Sequence, residues 1–338
     1  MLITILKVII IICESKLVFL STLKIIIIFM KIKDGICGFV IGDALSVPVE
    51  FSSRETLQEN PVKEMRGYGT YNMPPGTFSD DTSMTLATME SICNKKAIDL
   101  EDMQNEFLEW LFNGKYTQYG ETFDYGNTTY NSLSRFKNGF SVLECGGTDD
   151  HDNGNGSLMR ILPLAFIDGI SYETIEQVSS LTHAHQKSKI SCVFYVEIAK
   201  SMLSNDLEIK EHVKLAGDKI KDYYEGSQEL KHFTRIFNDD LDEVKSSGYV
   251  INTLESVIYC LENTDNYKDS VLKAVNLGGD TDTIAAICGG LSGIYYGFSE
   301  LPVDWLRQIP KIDKVLSLCE RYEGAINGFW KNYWKYYR

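Results

Sequence analysis

NLGGDTDTIAAICGGLSGIYYG, residues 276–297, decides how the rest of the chain is read. Gly278 and Gly279 give a flexible entry, and Asp280, Thr281, Asp282 and Thr283 place two carboxylates and two hydroxyls in succession. An apolar run follows in which Ile284, Ile287, Leu291 and Ile294 recur at helical spacing, with Ala and Gly between them. Small residues on that face allow a second helix backbone to approach. The Asp/Thr cluster therefore falls at a helix N-terminus, where carboxylates cap free N–H groups and meet the positive end of the helix dipole. Alone, the stretch also fits a well-capped buried helix, but capping needs one such residue and here there are four.

A second stretch has the same grammar. Pro74-Pro75-Gly76 leads through Thr77-Phe78 into Ser79-Asp80-Asp81-Thr82-Ser83-Met84, and Met84, Leu86, Ala87 and Met89 continue as an apolar helix. Two acidic helix starts can face one cavity. There Asp80, Asp81, Asp280 and Asp282 would repel one another unless divalent cations offset their charge. Oxygen donors without neighbouring His or Cys favour hard ions, Mg²⁺ first and Mn²⁺ or Ca²⁺ next.

The pair SDDTSM and NLGGDTDTIAAICGGLSG resembles the ADP-ribosylglycohydrolase family, in particular its bacterial dinitrogenase reductase-activating type. The resemblance runs from about Asp34 to Trp305. It implies two Mg²⁺ or Mn²⁺ ions held by Ser79, Asp80, Asp81, Asp280, Asp282 and Thr283 and gripping the distal ribose of ADP-ribose. Ser79 stands where the family usually has Thr; its hydroxyl can still ligate a metal.

Other motifs fall in the family's order. GICGFVIGDALSVPVE, residues 35–50, reads as a tightly packed helix ending in a turn, with Glu50 at an exposed end. The resemblance instead puts Glu50 near the metals as a gate or substrate contact, and leaves Asp43 to cap or brace the packing. CGGTDDHDNGNGSLMR, residues 145–160, has glycines that let a ligand approach the backbone, and Ser157 stands ready to cap a helix from about Leu158. It matches neither common nucleotide-binding glycine pattern. The resemblance assigns Asn155, Gly156 and Ser157 to the ligand's phosphates and ribose, and Asp149–Asp152 read as a solvated acidic loop. A Thr-His pair, Thr182-His183, implies that His183 rather than His185 approaches the ligand. Tyr249, in Ser247-Gly248-Tyr249-Val250, is a ligand contact by the same resemblance, and otherwise opens a capped core helix.

The remaining segments are plainer. Residues 53–72 read as a surface segment, 100–112 as an amphipathic helix, and 113–131 as a Gly/Tyr/Thr-rich loop whose tyrosines pack. Residues 210–245, rich in mixed charge, read as solvated helices. The aromatic, basic tail GFWKNYWKYYR is expected to dock on the helical core.

Composition sets outer limits. With 338 residues, 44% hydrophobic and 24% charged, the chain can bury a sizeable core. A net charge of −14 argues against a nucleic-acid partner. Eight scattered cysteines without a C-x-x-C pair suit reduced thiols and a cytoplasmic location. Residues 1–29, rich in Ile, are broken by Lys7, Glu14, Lys16 and Lys24 before either apolar run reaches membrane-spanning length. We read 1–29 as an extension outside the fold, a mis-assigned start before Met30, with a membrane anchor or signal as the alternative. By the resemblance, residues 30–338 are expected to form one ADP-ribosylglycohydrolase-like domain. Period-two alternation is nearly absent while helical faces recur, so the expected fold is all-α, one compact multi-helix domain.

The expected activity is Mg²⁺-dependent hydrolysis of the glycosidic bond joining ADP-ribose to a protein side chain, arginine foremost, or to a small acceptor. Asp80, Asp81, Asp282 and Glu50 are the catalytic candidates. The alternatives are an inactive ADP-ribose-binding or structural relative, and a two-metal phosphohydrolase.

Overall fold

Helix α1, residues 31–46, carries Gly38 and Gly42 on the side that meets the helix built from the acidic stretch at the far end of the chain. A side-chain carbon at Gly42 would lie 2.0 Å from the Ala285 carbonyl oxygen, and one at Gly38 would lie 2.3 Å from that of Gly289. The small residues of both stretches thus serve one purpose: two helix backbones touch, and no larger residue fits between them.

The computed structural model describes residues 31–333, with side chains to residue 327. The extension expected at 1–29 and the side chains of the aromatic tail lie outside the described residues. After α1 come α2 (Arg54–Glu59), α3 (Asp80–Lys95), α4 (Leu100–Asn113), α5 (Asn127–Lys137), α6 (Tyr172–Ser180) and α7 (Gln186–Ser204). The second half holds α8 (Ile209–Tyr223), α9 (Thr234–Phe237), α10 (Val250–Glu262), α11 (Tyr267–Val275), α12 (Thr281–Tyr296), α13 (Val303–Gln308) and α14 (Ile312–Tyr333). Short 3-10 turns join them, and strand pairing among the described residues is limited to two isolated bridges. The protein is all-α and a single compact body.

Helix α12 is the axis of the core. It packs against α3, α7, α10 and α11, and its residues from Thr281 to Ile294 are all buried. Helix α3 is nearly as enclosed, from Asp80 to Ile92, and is flanked by α4 and α14. Burying both helices all round explains why their apolar residues are not confined to one stripe. The peripheral α4 and α8 are amphipathic, as the sequence indicates for 100–112; in the charged stretch, read as solvated helices, α8 buries one face through Val213, Ala216 and Ile220. Helix starts use the expected chemistry: Ser53, Ser79, Asp99, Ser171 and Asn266 accept N–H hydrogen bonds at their own helix termini.

One local expectation fails. The loop at 145–157 does not open a full helix at Leu158; a 3-10 turn, Leu158–Arg160, forms instead. Pro163, with no N–H and a ring that crowds the preceding turn, sits in the next 3-10 turn, Leu162–Phe166.

Candidate active site

The N-termini of α3 and α12 open on one cavity of about 360 Å³, whose wall includes Glu50, Asp80, Asp124, Asp280 and Thr283. Each acidic residue is brought there by a definite local device. Asp43, on α1, accepts hydrogen bonds from Ser79 N at 2.9 Å and Thr82 N at 3.0 Å, so it braces the first turn of α3 from outside. Ser79 caps the same helix and donates to Asp81 Oδ2 at 3.1 Å. Asp80 is left free to face the cavity.

At α12 the double glycine does more than supply flexibility. Gly278 and Gly279 both adopt left-handed φ, and a side-chain carbon at Gly279 would strike the Ser246 carbonyl oxygen at 1.9 Å. This turn pairs with the segment after Glu50: Phe51 N donates to Gly279 O at 2.7 Å, and Gly279 N to Ser52 O at 2.8 Å. Glu50 and the start of α12 are thereby held side by side, although 230 residues apart in sequence. Asp280 occupies the N-cap position of α12, but its side chain makes no capping hydrogen bond. It accepts from Asn155 Nδ2 at 2.5 Å instead. Thr281, by contrast, is not a site residue, since its hydroxyl donates to Ser46 O at 3.2 Å and ties α12 to α1. The cluster is therefore not the set of helix caps that its residue types alone would allow.

The carboxylates converge in two groups of three, Glu50–Asp280–Asp282 and Asp80–Asp124–Asp282, with one oxygen of each residue within 4.8 Å of its partners. Asp282 belongs to both. Among the described residues, no Lys or Arg lines the cavity. Burial first, then neighbouring charge, pushes Asp80, Asp81 and Asp282 well above the ordinary carboxylate range. Burial and Asp124 push Glu50 up to about 9, and burial lifts Asp280 to about 6 against the opposing Asn155 hydrogen bond. Glu50 Oε2 and Asp81 Oδ1 are buried without a hydrogen-bond partner. Converging hard oxygen atoms, orphaned acceptors and uncompensated negative charge fit divalent cations of the Mg²⁺ type.

The structure brings most of the expected residues together, and some not. Glu50 is 3% exposed, which removes it from the exposed helix end that composition suggested. Asn155, Gly156 and His183 line the cavity. Ser157 does not: its hydroxyl turns into the core, accepting from Ser179 Oγ at 2.9 Å and lying 3.4 Å from Cys192 Sγ. Tyr249 is half-buried at the N-cap of α10, with its phenol near Lys187 and Glu229 rather than on the cavity wall, to which Gly248 contributes. Asp81 lies behind Asp80, outside both groups of three. The glycine-rich loop is stitched to its neighbours by backbone hydrogen bonds, from Gly147 N to Thr182 O and from Asn155 N to Gly248 O.

Sequence reading misses Asp124. It sits in the loop before α5 at a left-handed φ of 53°, a conformation Asp tolerates better than most residues. A lone Asp in a Thr-Phe-Asp-Tyr-Gly loop carries no motif, and Gly126 beside it, the N-cap of α5, stands in open space and gives no hint. Tyr71 is missed as well. Burial, followed by the charges of Asp124 and Glu50, holds its phenol protonated.

The fold is thus an all-helical body whose two buried helix starts present carboxylates to a shared cavity able to hold cations. The family model for ADP-ribosylglycohydrolase matches residues 27–331. The chain belongs to the ADP-ribosylglycohydrolase family, whose members are glycosidic-bond hydrolases. It is 32% identical over 299 residues to the ADP-ribosylarginine hydrolase Tri1 of Serratia proteamaculans, covering 86% of this chain and 78% of that one. It is 29% identical over 278 residues to the ADP-ribosyl-[dinitrogen reductase] glycohydrolase of Rhodospirillum rubrum, covering 80% and 87%. A solved chain described as an ADP-ribosylglycohydrolase-related protein complex superposes with a TM-score of 0.75 at 24% identity, over 88% of this chain and 99% of that one, and supports the fold.

Proposed function

We propose that the protein hydrolyses the N-glycosidic bond between ADP-ribose and an arginine side chain, with two divalent cations, Mg²⁺ or Mn²⁺, in the acidic cavity. The observation that carries this is the pair of carboxylate groups sharing Asp282, set in a cavity that no Lys or Arg among the described residues lines. Relatives named for ADP-ribosylarginine and for ADP-ribosyl-dinitrogen reductase support arginine as the acceptor. The substrate is then an ADP-ribosylated protein or a small conjugate. Seven described cysteines are free, which suits a cytoplasmic setting, and no helix among the described residues is long and apolar enough to cross a membrane.

Glu50, Asp80, Asp124, Asp280 and Asp282 would hold the cations, with Asp81, Ser79 and Thr283 as further oxygen donors. Bound cations supply Lewis acidity and fix the ribose hydroxyls. The chain's own residues do the rest. Asn155, Gly156 and His183 orient the ligand, and the acidic cluster stabilises positive charge developing at the anomeric carbon. A cluster carboxylate takes a proton from the attacking water, whose oxygen bonds to that carbon. The carbon–nitrogen bond breaks as the guanidine nitrogen regains a proton. Glu50, Asp80, Asp81, Asp282 and Asp124 are the candidates for this proton transfer.

The test is incubation with ADP-ribosyl-arginine and ADP-ribosyl-serine at equal concentration, with Mg²⁺ or with EDTA, and mass analysis of products. Release of ADP-ribose from the arginine conjugate in Mg²⁺ alone supports the proposal. Preference for serine, an EDTA-insensitive reaction, or release of AMP would sink it.

A further inference from the structure

Arg160 is fully buried, yet it makes no ion pair among the described residues. Its guanidinium lies 4.6 Å from the Phe107 ring centroid, donates from Nη1 and Nη2 to Val178 O at 3.2 Å, and donates from Nη2 to Thr182 Oγ1 at 2.8 Å. Burying a cation without a carboxylate is costly, so its retention calls for a reason. Guanidinium has donors and no acceptor, so Thr182 Oγ1 accepts at that contact. The hydroxyl's own proton then has one remaining partner, His183 Nδ1, at 2.8 Å. The reverse arrangement, with His183 Nδ1–H donating, would strand the buried Thr182 hydroxyl proton at a cost of about 1–3 kcal/mol.

We infer that Arg160, acting through Thr182, is a positioning residue that fixes His183 as the Nε2–H tautomer, presenting a hydrogen-bond donor to the cavity for an anionic oxygen of the ligand. His183 Nε2 has no protein partner among the described residues, and the ring lines the cavity beside Gly154 and Gly156. A side-chain carbon at Gly156 would lie 2.8 Å from His183 Cε1, so glycine there leaves the imidazole edge open to a ligand. Burial, followed by the charge on Arg160, pulls His183 down to about 3, so the imidazole stays neutral at working pH and its donor role depends on the tautomer. The inference rests on reading the cavity as an ADP-ribose site, where the diphosphate supplies the anionic oxygens.

Nitrogen-15 NMR of the histidine-labelled full chain reads the tautomer directly, with His183→Gln assigning the signal. Calorimetric titration with ADP-ribose in Mg²⁺ reads the consequence. The wild type and Thr182→Ser are expected to show a pyrrole-type Nε2 and a pyridine-type Nδ1. Thr182→Val, and Arg160→Met where it folds, are expected to show mixed tautomers and ADP-ribose binding weakened by the inverse of the remaining Nε2–H fraction, about two-fold for an even mixture. A single Nε2–H tautomer in Thr182→Val, or mixed tautomers in the wild type, would overturn the relay. A wild type with the expected tautomer that fails to bind ADP-ribose would overturn the reading of the cavity and the ligand role of His183, leaving the relay itself standing.

Discussion

Asp282→Asn is the most informative single substitution, because Asp282 alone belongs to both carboxylate groups. Asparagine keeps the volume and the Oδ1 that accepts from Thr283 N at 2.9 Å, while one charge is lost. At the 4.8 Å limit and an effective dielectric constant of about 20, one ionised neighbour costs roughly 3 kcal/mol. In EDTA, removing that repulsion should stabilise the fold by about this much. With an unfolding entropy near 2.1 cal/mol/K per residue over about 300 residues, that corresponds to a rise in Tm of about 5 °C. In Mg²⁺ the order should reverse. The wild type gains about 2.7 kcal/mol per site at a hundredfold excess over Kd, and Asp282→Asn gains little. Calorimetric titration should count two ions on the wild type, one on Asp80→Asn or Asp280→Asn, and none on Asp282→Asn. The assay is differential scanning calorimetry of all four chains in EDTA and in Mg²⁺, beside the titration. If Asp282→Asn melts below the wild type in EDTA yet keeps the full Mg²⁺ shift, the carboxylates are satisfied within the protein and the two-site reasoning fails.

Three further outcomes are expected. Asp124→Asn should fold, since asparagine tolerates the same left-handed φ, and should lose about 10² or more in kcat, measured by release of ADP-ribose. Gly42→Ala should cost about 3 kcal/mol or more in denaturant unfolding, because the new carbon would lie 2.0 Å from the Ala285 carbonyl oxygen and two helices must part to admit it. A chain beginning at Met30 should be soluble and should match the full-length protein in Mg²⁺-dependent turnover; loss of folding in that chain would refute the reading of residues 1–29 as an extension.

What the sequence by itself determined was the class of each segment. Helical periodicity from Ile284 to Ile294, and again from Met84 to Met89, was enough for an all-α fold, because helices report themselves through local spacing. The acidic helix starts were equally legible, since a carboxylate pair beside a hydroxyl and a glycine turn is a short-range pattern. Asp43 as a brace of the packing was readable too. What only the tertiary structure decided was which distant atoms share a cavity. Local spacing left Glu50 at an exposed helix end and only the family resemblance set it near the site; the pairing of Phe51 and Ser52 with Gly279 is what folds it beside Asp280 and Asp282. Asp124 had no motif to mark it, since its role comes from the return of a loop, and loops carry no period. Ser157 carried the right residue type beside the right glycines, but a 3-10 turn rotated its hydroxyl into the core. Residue type and spacing fix what a segment can do locally; convergence of charge depends on long-range closure, which is written in no single stretch.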